Sequence, residues 1–220
     1  MALSIDTLKY NADGLIPAIA QDHLTGEVKM MAWMNRESLA ETIKTGKAVF
    51  WSRSRQKLWL KGESSGHFLE VFSLQADCDR DTILLQTEPL GPSCHTGADN
   101  CFFEDIEGAQ GLGEPARPFL DRLERVIDSR KASDGEKSYT SSLFNKGAEK
   151  IGEKIREEAD ELAEAIAHES DERVSSEAAD ELFHLLVGLS SRDVPLRSVL
   201  KTLFQRFGIG GHVEKAARQK

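Results

Sequence analysis

The chain has 220 residues, with 37 acidic against 28 basic side chains and a formal net charge of −9. That length makes one large domain or two small ones of about 100–150 residues each. The acidic balance argues against holding nucleic acid or an anionic membrane by bulk charge, and no apolar run approaches the ~20 residues of a membrane-spanning helix.

The opening Met1-Ala-Leu-Ser-Ile-Asp lacks the basic-then-apolar pattern of a signal peptide, so a cytoplasmic location is expected. Three cysteines in such a chain make no disulfide framework. All three, Cys78, Cys94 and Cys101, fall within 24 residues, which points to a metal or catalytic role.

Residues 1–106 are rich in strand signals. Ile16-Pro-Ala-Ile-Ala, Ala48-Val-Phe-Trp, Phe68-Leu-Glu-Val-Phe-Ser-Leu and Thr82-Ile-Leu-Leu-Gln-Thr are short β-branched or aromatic runs bounded by Gly, Asp, Ser or Pro. One helical pattern lies between the first two, about Arg36 to Lys44. Residues 107–118 hold three Gly and two Pro, and read as a linker. From 119 on the period becomes that of a helix. Phe119, Leu120, Leu123, Val126 and Ile127 form one apolar stripe, and Ile151, Ile155, Leu162 and Ile166 another. A third helix, about 172–190, is apolar over most of its circumference. A fourth, about 196–207, carries Val199, Leu200, Leu203 and Phe204, with Asp193 as its expected N-cap. The expected fold is multidomain: an N-terminal α+β, mainly β, domain over 1–114, then a C-terminal all-α helical bundle over 115–220.

Two groups of residues carry chemistry. The first is Asp77-Cys78-Asp79-Arg80-Asp81, then Cys94-His95, then Cys101. Thiolates are soft ligands that suit zinc. Three of them without an obvious fourth fit a site with an open position, where zinc lowers the pKa of bound water to about 7. His95 then moves a proton, or is itself the fourth ligand of a closed structural site. Asp77, Asp79 and Asp81 alternate; in an extended strand they share one face and offer hard oxygens to Mg²⁺.

The second group lies on the two acidic helices. With Ile151 at zero, Glu158 falls at about −20°, inside the apolar stripe, and Glu161 beside it at about −80°. Glu177 and Asp180 form an acidic sector of the next helix with Glu181 and His184. Carboxylates turned toward a core need a partner or a cation, and facing Glu-x-x-Glu and Glu-x-x-Asp pairs make a cage for Mg²⁺. Lys146-Gly147 opens the first of these helices, where an ammonium and a helix N-terminus suit phosphate.

Asp13-Gly-Leu-Ile-Pro-Ala-Ile, Met31-Ala-Trp-Met-Asn-Arg, Phe50-Trp-Ser-Arg-Ser-Arg, Leu58-Trp-Leu-Lys-Gly-Glu-Ser-Ser-Gly, the Asp77–Asp81 motif and Gly91-Pro-Ser-Cys-His-Thr-Gly with Cys101-Phe-Phe together resemble phosphoribosyl-AMP cyclohydrolase over residues 10–103. Ser138-Tyr-Thr-Ser-Ser-Leu-Phe, Lys146-Gly147, Glu157-Glu-Ala-Asp-Glu and Glu177-Ala-Ala-Asp-Glu-Leu-Phe-His resemble phosphoribosyl-ATP pyrophosphohydrolase, a relative of the MazG-type nucleotide pyrophosphatases, over 119–210. The whole is similar to the fused bifunctional enzymes of histidine biosynthesis.

The resemblance implies small-molecule substrates, phosphoribosyl-ATP and then phosphoribosyl-AMP, with Zn²⁺ and Mg²⁺ as cofactors. It implies a homodimer whose zinc is shared, Cys78 from one subunit and Cys94 with Cys101 from the other. It gives Mg²⁺ to Asp77, Asp79 and Asp81, and a further Mg²⁺ to Glu158, Glu161, Glu177 and Asp180, with Glu158 and Glu161 catalytic. His95 is the implied proton shuttle, and Ser52, Arg53, Arg55, Lys61 and Lys146 are candidate phosphate contacts. Three positions depart from the expected pattern: Arg80 and Arg156 stand where Gly is usual, and Asp99-Asn100 replaces a more basic pair. The rival reading is a nucleoside-triphosphate pyrophosphatase fused to a zinc-stabilised, non-catalytic binding domain. The H-x-E…P-C-x-x-C pattern of zinc nucleobase deaminases is absent.

Overall fold

The computed structural model describes residues 3–104, 106–107, 118–131 and 138–207. The chain divides into two compact units, Met1–Pro118 and Phe119–Lys220. The expected boundary at 114/115 and most of the expected linker lie outside the described residues.

The first unit runs β1 (Ile16–Asp22), β2 (Val28–Met34), α1 (Arg36–Thr45), β3 (Val49–Ser52), β4 (Lys57–Leu60), β5 (Leu69–Ala76) and β6 (Ile83–Pro89), after a single 3-10 turn at Ile5–Thr7. Four strands form one sheet in the order β2-β1-β6-β5, and β3 pairs with β4 in a separate hairpin. In the sheet β1 is antiparallel to β2 and parallel to β6, and β5 is antiparallel to β6. Every second residue of β1 is buried, as a half-covered strand requires. Its Ile16, Ala18 and Ala20 meet Met34, Leu39, Phe50, Leu69 and Leu85 in one core. Helix α1 starts on a reciprocal cap: Ser38 N–H donates to Asn35 Oδ1, and Asn35 N–H donates to Ser38 Oγ, both at 2.8 Å.

Strands β2 and β4 are additions to the four runs expected. Val28-Lys-Met-Met-Ala-Trp-Met has one β-branched residue, so propensity conceals it. The turn before β2 reveals it: Asp22 Oδ1 accepts the N–H groups of Leu24 and Thr25, which folds the chain back onto β1. The Asp77–Asp81 segment is a correction of another kind. It is a turn between β5 and β6 and not a strand, with Arg80 left-handed at φ 68° where Gly was expected.

The second unit consists, among the described residues, of four helices: α2 (Phe119–Ser129), α3 (Tyr139–His168), α4 (Asp171–Ser190) and α5 (Leu196–Arg206). Ile127, Leu143, Ile151, Leu186, Val187 and Leu196 form its core. Helix α3 begins earlier than expected, but Gly147 interrupts it at φ 83°, ψ 178°. That conformation belongs to glycine, so the expected start at Lys146-Gly147 survives as a break.

Helix α5 is not capped by Asp193. Asp193 is left-handed at φ 53° and its carboxylate takes Lys131, 2.7 Å away. The Leu196 N–H donates instead to the Glu124 carboxylate of α2. Ile166, placed on the buried stripe by its phase, is 66% exposed in the last turn of α3. Phe119, Val126, Leu203 and Phe204 are also exposed in the single chain, so the expected stripes are covered only in part: Ile127 is buried and Leu120, Leu123, Val199 and Leu200 are half-buried.

Gly62, just after β4, has φ 89°, and a Cβ there would lie 2.6 Å from backbone atoms of His67 and Phe68. Gly62→Ala should therefore destabilise the first unit by about 1–3 kcal/mol from the dihedral alone, and more from the clash. All three tryptophans, Trp33, Trp51 and Trp59, lie in this unit, so their fluorescence reports it during urea unfolding. The midpoint should fall; an unchanged midpoint would contradict the close approach.

Candidate active sites

The loop after β6 carries the first site. Ser93 N–H donates to Asp99 O and Cys94 N–H to Ala98 O, so the two arms of the loop run side by side. Its far arm is tied to the sheet, because Cys101 N–H donates to Lys29 O at 2.9 Å. A buried polar cluster locks that tie. Lys29 Nζ and Asn100 Nδ2 each lie 2.6 Å from one oxygen of the Glu27 carboxylate, and Asn100 is 2% exposed. Burying a charge without such partners is costly, so the cluster holds only as a set. Asn100 thus anchors the loop where a more basic pair was expected.

Beside this loop is a cavity of about 380 Å3, lined by Trp59, Lys61, His67, Cys94, His95 and Cys101 among others. Cys94 is buried, whereas His95 is exposed at the rim, with Nδ1 3.8 Å from Cys94 Sγ. The Thr96 hydroxyl, 3.2 Å from Cys94 Sγ, and the Thr96 N–H hold the Cys94 thiol below its ordinary value. Burial, and then the neighbouring Cys94, push the Cys101 thiol up to about 11. Burial likewise lowers the Lys61 ammonium, against the opposing pull of Cys101 and Cys94. Two sulfurs that resist ionising together are a donor pair suited to a soft cation, so this loop fits zinc.

Cys78 is not among the residues lining this cavity; it is exposed in the β5–β6 turn. One oxygen each of Asp77, Asp79 and Asp81 in that turn lies within 4.8 Å of the others. The turn, not strand alternation, brings them together: Asp77 Oδ1 accepts the N–H groups of Asp81 and Thr82. These are hard donors, exposed to solvent, of the type Mg²⁺ takes.

Of the phosphate candidates, Lys61 alone lines the cavity among the described residues. Ser52, Arg53 and Arg55 sit at the β3–β4 hairpin turn, where Arg55 Nε donates to Ser52 Oγ at 3.2 Å. Arg53 lies over Trp33 and Arg55 over Trp59, so the hairpin presents two cations stacked on indoles. The sequence reading missed His67 and the Glu27–Lys29–Asn100 cluster. The Ser64-Ser65-Gly66 run beside His67 was the available signal for the former.

The second site lies between α3 and α4. Glu158 and Glu177 are 6% and 3% exposed, and one oxygen each of Glu158, Glu161 and Glu177 lies within 4.8 Å of the others. Desolvation, and then the charges of Glu177 and Glu158, hold the Glu161 carboxyl above its ordinary value. Three converging hard oxygens, two of them buried, fit a divalent cation such as Mg²⁺. Asp180 is outside this group and exposed; it stands about 60° round α4 from Glu177, at the rim of the helix interface. Lys146 is exposed at the Gly147 break.

Cations on the same helices offset this acidity. Lys154 Nζ is 2.8 Å from both Glu157 and Glu158, and Arg173 pairs with Glu169 and Glu177. His184 is buried, its Nε2 2.8 Å from Tyr139 Oη and its Nδ1 2.9 Å from Asp180 O. Lys154 and Tyr139 were not singled out in the sequence. A lysine among i,i+4 acids reads as a surface pair, and a tyrosine before a break gives no hint of its partner.

The thiol pair yields a pH test on metal-free protein. A Cys94 thiolate raises the Cys101 pKa, so Cys94→Ala should lower it from about 11. The local desolvation of the Cys101 sulfur persists although the residue is exposed, so the value should stay above that of an ordinary thiol. The alkylation rate of Cys101 against pH, read by peptide mass spectrometry, measures this; an unchanged profile would show that the two sulfurs do not interact.

Known proteins resemble both units. The phosphoribosyl-AMP cyclohydrolase family model matches residues 30–103, and the phosphoribosyl-ATP pyrophosphohydrolase model matches residues 120–207. The histidine biosynthesis bifunctional protein HisIE of Photobacterium profundum is 43% identical over 194 residues, 88% of this chain and 93% of its own. HisIE of Parasynechococcus marenigrum is 46% identical over 210 residues, covering 93% and 94%. HisIE of Wolinella succinogenes is 41% identical over 98% of this chain and 97% of its own. The chain therefore belongs to the family of bifunctional histidine-biosynthesis hydrolases that join a phosphoribosyl-AMP cyclohydrolase domain to a phosphoribosyl-ATP pyrophosphohydrolase domain.

Proposed function

We propose that the second unit acts first, releasing pyrophosphate from phosphoribosyl-ATP, and that the first unit then opens the adenine ring of the resulting phosphoribosyl-AMP between N1 and C6. The observation that carries this reading is the meeting of each motif's donors within its own unit: Glu158, Glu161 and Glu177 on α3 and α4, and Cys94 with Cys101 on the β6 loop.

In the second unit the three carboxylates and Asp180 would hold Mg²⁺, which would screen the charge of the substrate's phosphates. Glu158 and Glu177 are fixed by burial, so they need little reorganisation to receive it. Glu161, the more exposed of the three, is the carboxylate free to turn a water toward phosphorus. In the first unit Cys94 and Cys101, with Cys78 of a second copy, would hold zinc, and bound zinc supplies a water acidic enough to be nucleophilic at neutral pH. Trp59 offers a flat wall to the base, and Lys61 a cation at its edge. His95, at the rim, moves the proton between water and ring nitrogen. Ser52, Arg53 and Arg55 meet phosphate at the hairpin. The exposed Asp77–Asp81 turn would hold a further Mg²⁺.

The separation of Cys78 from the cavity favours a zinc site shared in a homodimer. Three reduced thiols and a small-molecule pathway step suit a cytoplasmic enzyme. The likeness of the helical unit to MazG-type pyrophosphatases belongs to the same reading.

The test follows pyrophosphate release and the ultraviolet change of ring opening from phosphoribosyl-ATP with both metals. Cys94→Ala should stop at phosphoribosyl-AMP. Glu161→Ala should lose pyrophosphate release by roughly 100-fold or more, since even a ligand's supporting partner is worth 10–100-fold, yet open added phosphoribosyl-AMP. Mixed with Cys78→Ala chains, Cys94→Ala chains should regain part of the ring opening. Wild-type protein inactive in both assays would end the bifunctional reading, and failed mixing would end the shared site.

A further inference from the structure

Glu158 is a buried carboxylate with a lysine one helical turn before it. Side chains on a helix lean toward its N-terminus, so Glu158 lies back over Lys154, and the two meet at 2.8 Å. The same ammonium is 2.8 Å from Glu157. A lysine ammonium is charged at neutral pH. Lys154 is well shielded, its side chain 18% exposed, whereas Arg173, the partner of Glu177, is 55% exposed and also bound to Glu169. Arg173 therefore meets the cluster from its rim, and Lys154 is the more shielded of the two cations.

This arrangement conflicts with a divalent ion at the same carboxylates. Glu158 shares the 4.8 Å cluster with Glu161 and Glu177. An ion there takes up the charge that now holds Lys154 and leaves the ammonium beside a like charge. Glu157, outside the cluster, still holds the ammonium on its solvent side, and on the inner side the anion that can replace Glu158 is phosphate, because a Mg²⁺ ion held by carboxylates completes its shell with substrate phosphates and water. The ammonium then lies one helical turn from the ion, on the same face.

We propose that Lys154 exchanges partners, serving as counter-ion to Glu158 in the metal-free enzyme and as a contact to the nucleotide's phosphates in the loaded one. This rests on the metal reading of the Glu158–Glu161–Glu177 cluster given above. It also moves the phosphate contact of this unit inward from Lys146, which is exposed.

The exchange has opposite effects on two ligands, which a purely structural lysine would not produce. The full chain, loaded with zinc, is titrated with Mn²⁺ as a stand-in for Mg²⁺. The sites of interest are those lost in Glu158→Gln, which separates them from the Asp77–Asp81 turn. Inorganic pyrophosphate is then titrated at saturating Mn²⁺. Lys154→Met should bind Mn²⁺ about 3- to 10-fold more tightly, its competitor gone, and pyrophosphate on the order of 10-fold more weakly. Lys154→Arg, which keeps the charge, should restore pyrophosphate binding to within about 3-fold of wild type. Unchanged or weaker Mn²⁺ binding in Lys154→Met, or undiminished pyrophosphate binding, would overturn the exchange while leaving the metal site standing. Wild-type protein with no Mn²⁺ sites sensitive to Glu158→Gln would overturn both.

Discussion

Glu158 and Glu177 are buried on facing helices, with Glu161 close enough that their oxygens lie within 4.8 Å of one another. Like charges held that close in a poorly solvated place repel strongly, and the cluster is stable only with positive charge beside it. Lys154 and Arg173 provide that charge in the metal-free chain. The same constraint recurs in the first unit with a different element. Cys94 and Cys101 line one cavity, and the ionisation of one opposes that of the other. Hard oxygens gather between α3 and α4 and at the β5–β6 turn, and soft sulfurs on the loop after β6, so donor sets of different chemistry stay apart.

The folds follow from holding such groups in place. In the second unit the donors stand on long helices, where a phase of 3.6 residues per turn sets them and core residues such as Ile151 and Leu186 fix the spacing. In the first unit they stand on loops, where nothing periodic sets them. Polar clamps replace the periodicity: the buried Asn100 on Glu27, and the exposed Asp77 on the N–H groups of its own turn. Loops carry the chemistry and a sheet holds their ends, the usual division of labour where precise positioning must coexist with a site open to substrate.

This difference explains what could be read from the sequence. Helix phase correctly turned Glu158 and Glu177 inward, because one period governs the whole of α3 and α4. It failed for Ile166, since the last turn of α3 extends past its cover, and it gave Asp180 an inward place that belongs to the rim. Motif spacing singled out Cys94 and Cys101, which line one cavity, and the three aspartates, which converge, but attributed the aspartates to strand alternation when the left-handed Arg80 makes a turn. Lys29 and Glu27 were unreadable, because charged residues are taken to be surface until the partner across the fold is known. Strand β2 was concealed by methionines for the same reason: its stability comes from pairing with β1, not from its own propensity.

The account is tested most directly by metal content, determined on the same preparations for wild type, Cys94→Ser and Glu161→Gln. Two separate clusters predict that Cys94→Ser loses zinc and keeps its tight Mn²⁺ sites, while Glu161→Gln keeps zinc and loses or weakens those Mn²⁺ sites. Zinc retained in Cys94→Ser, or both metals lost together in either variant, would contradict it.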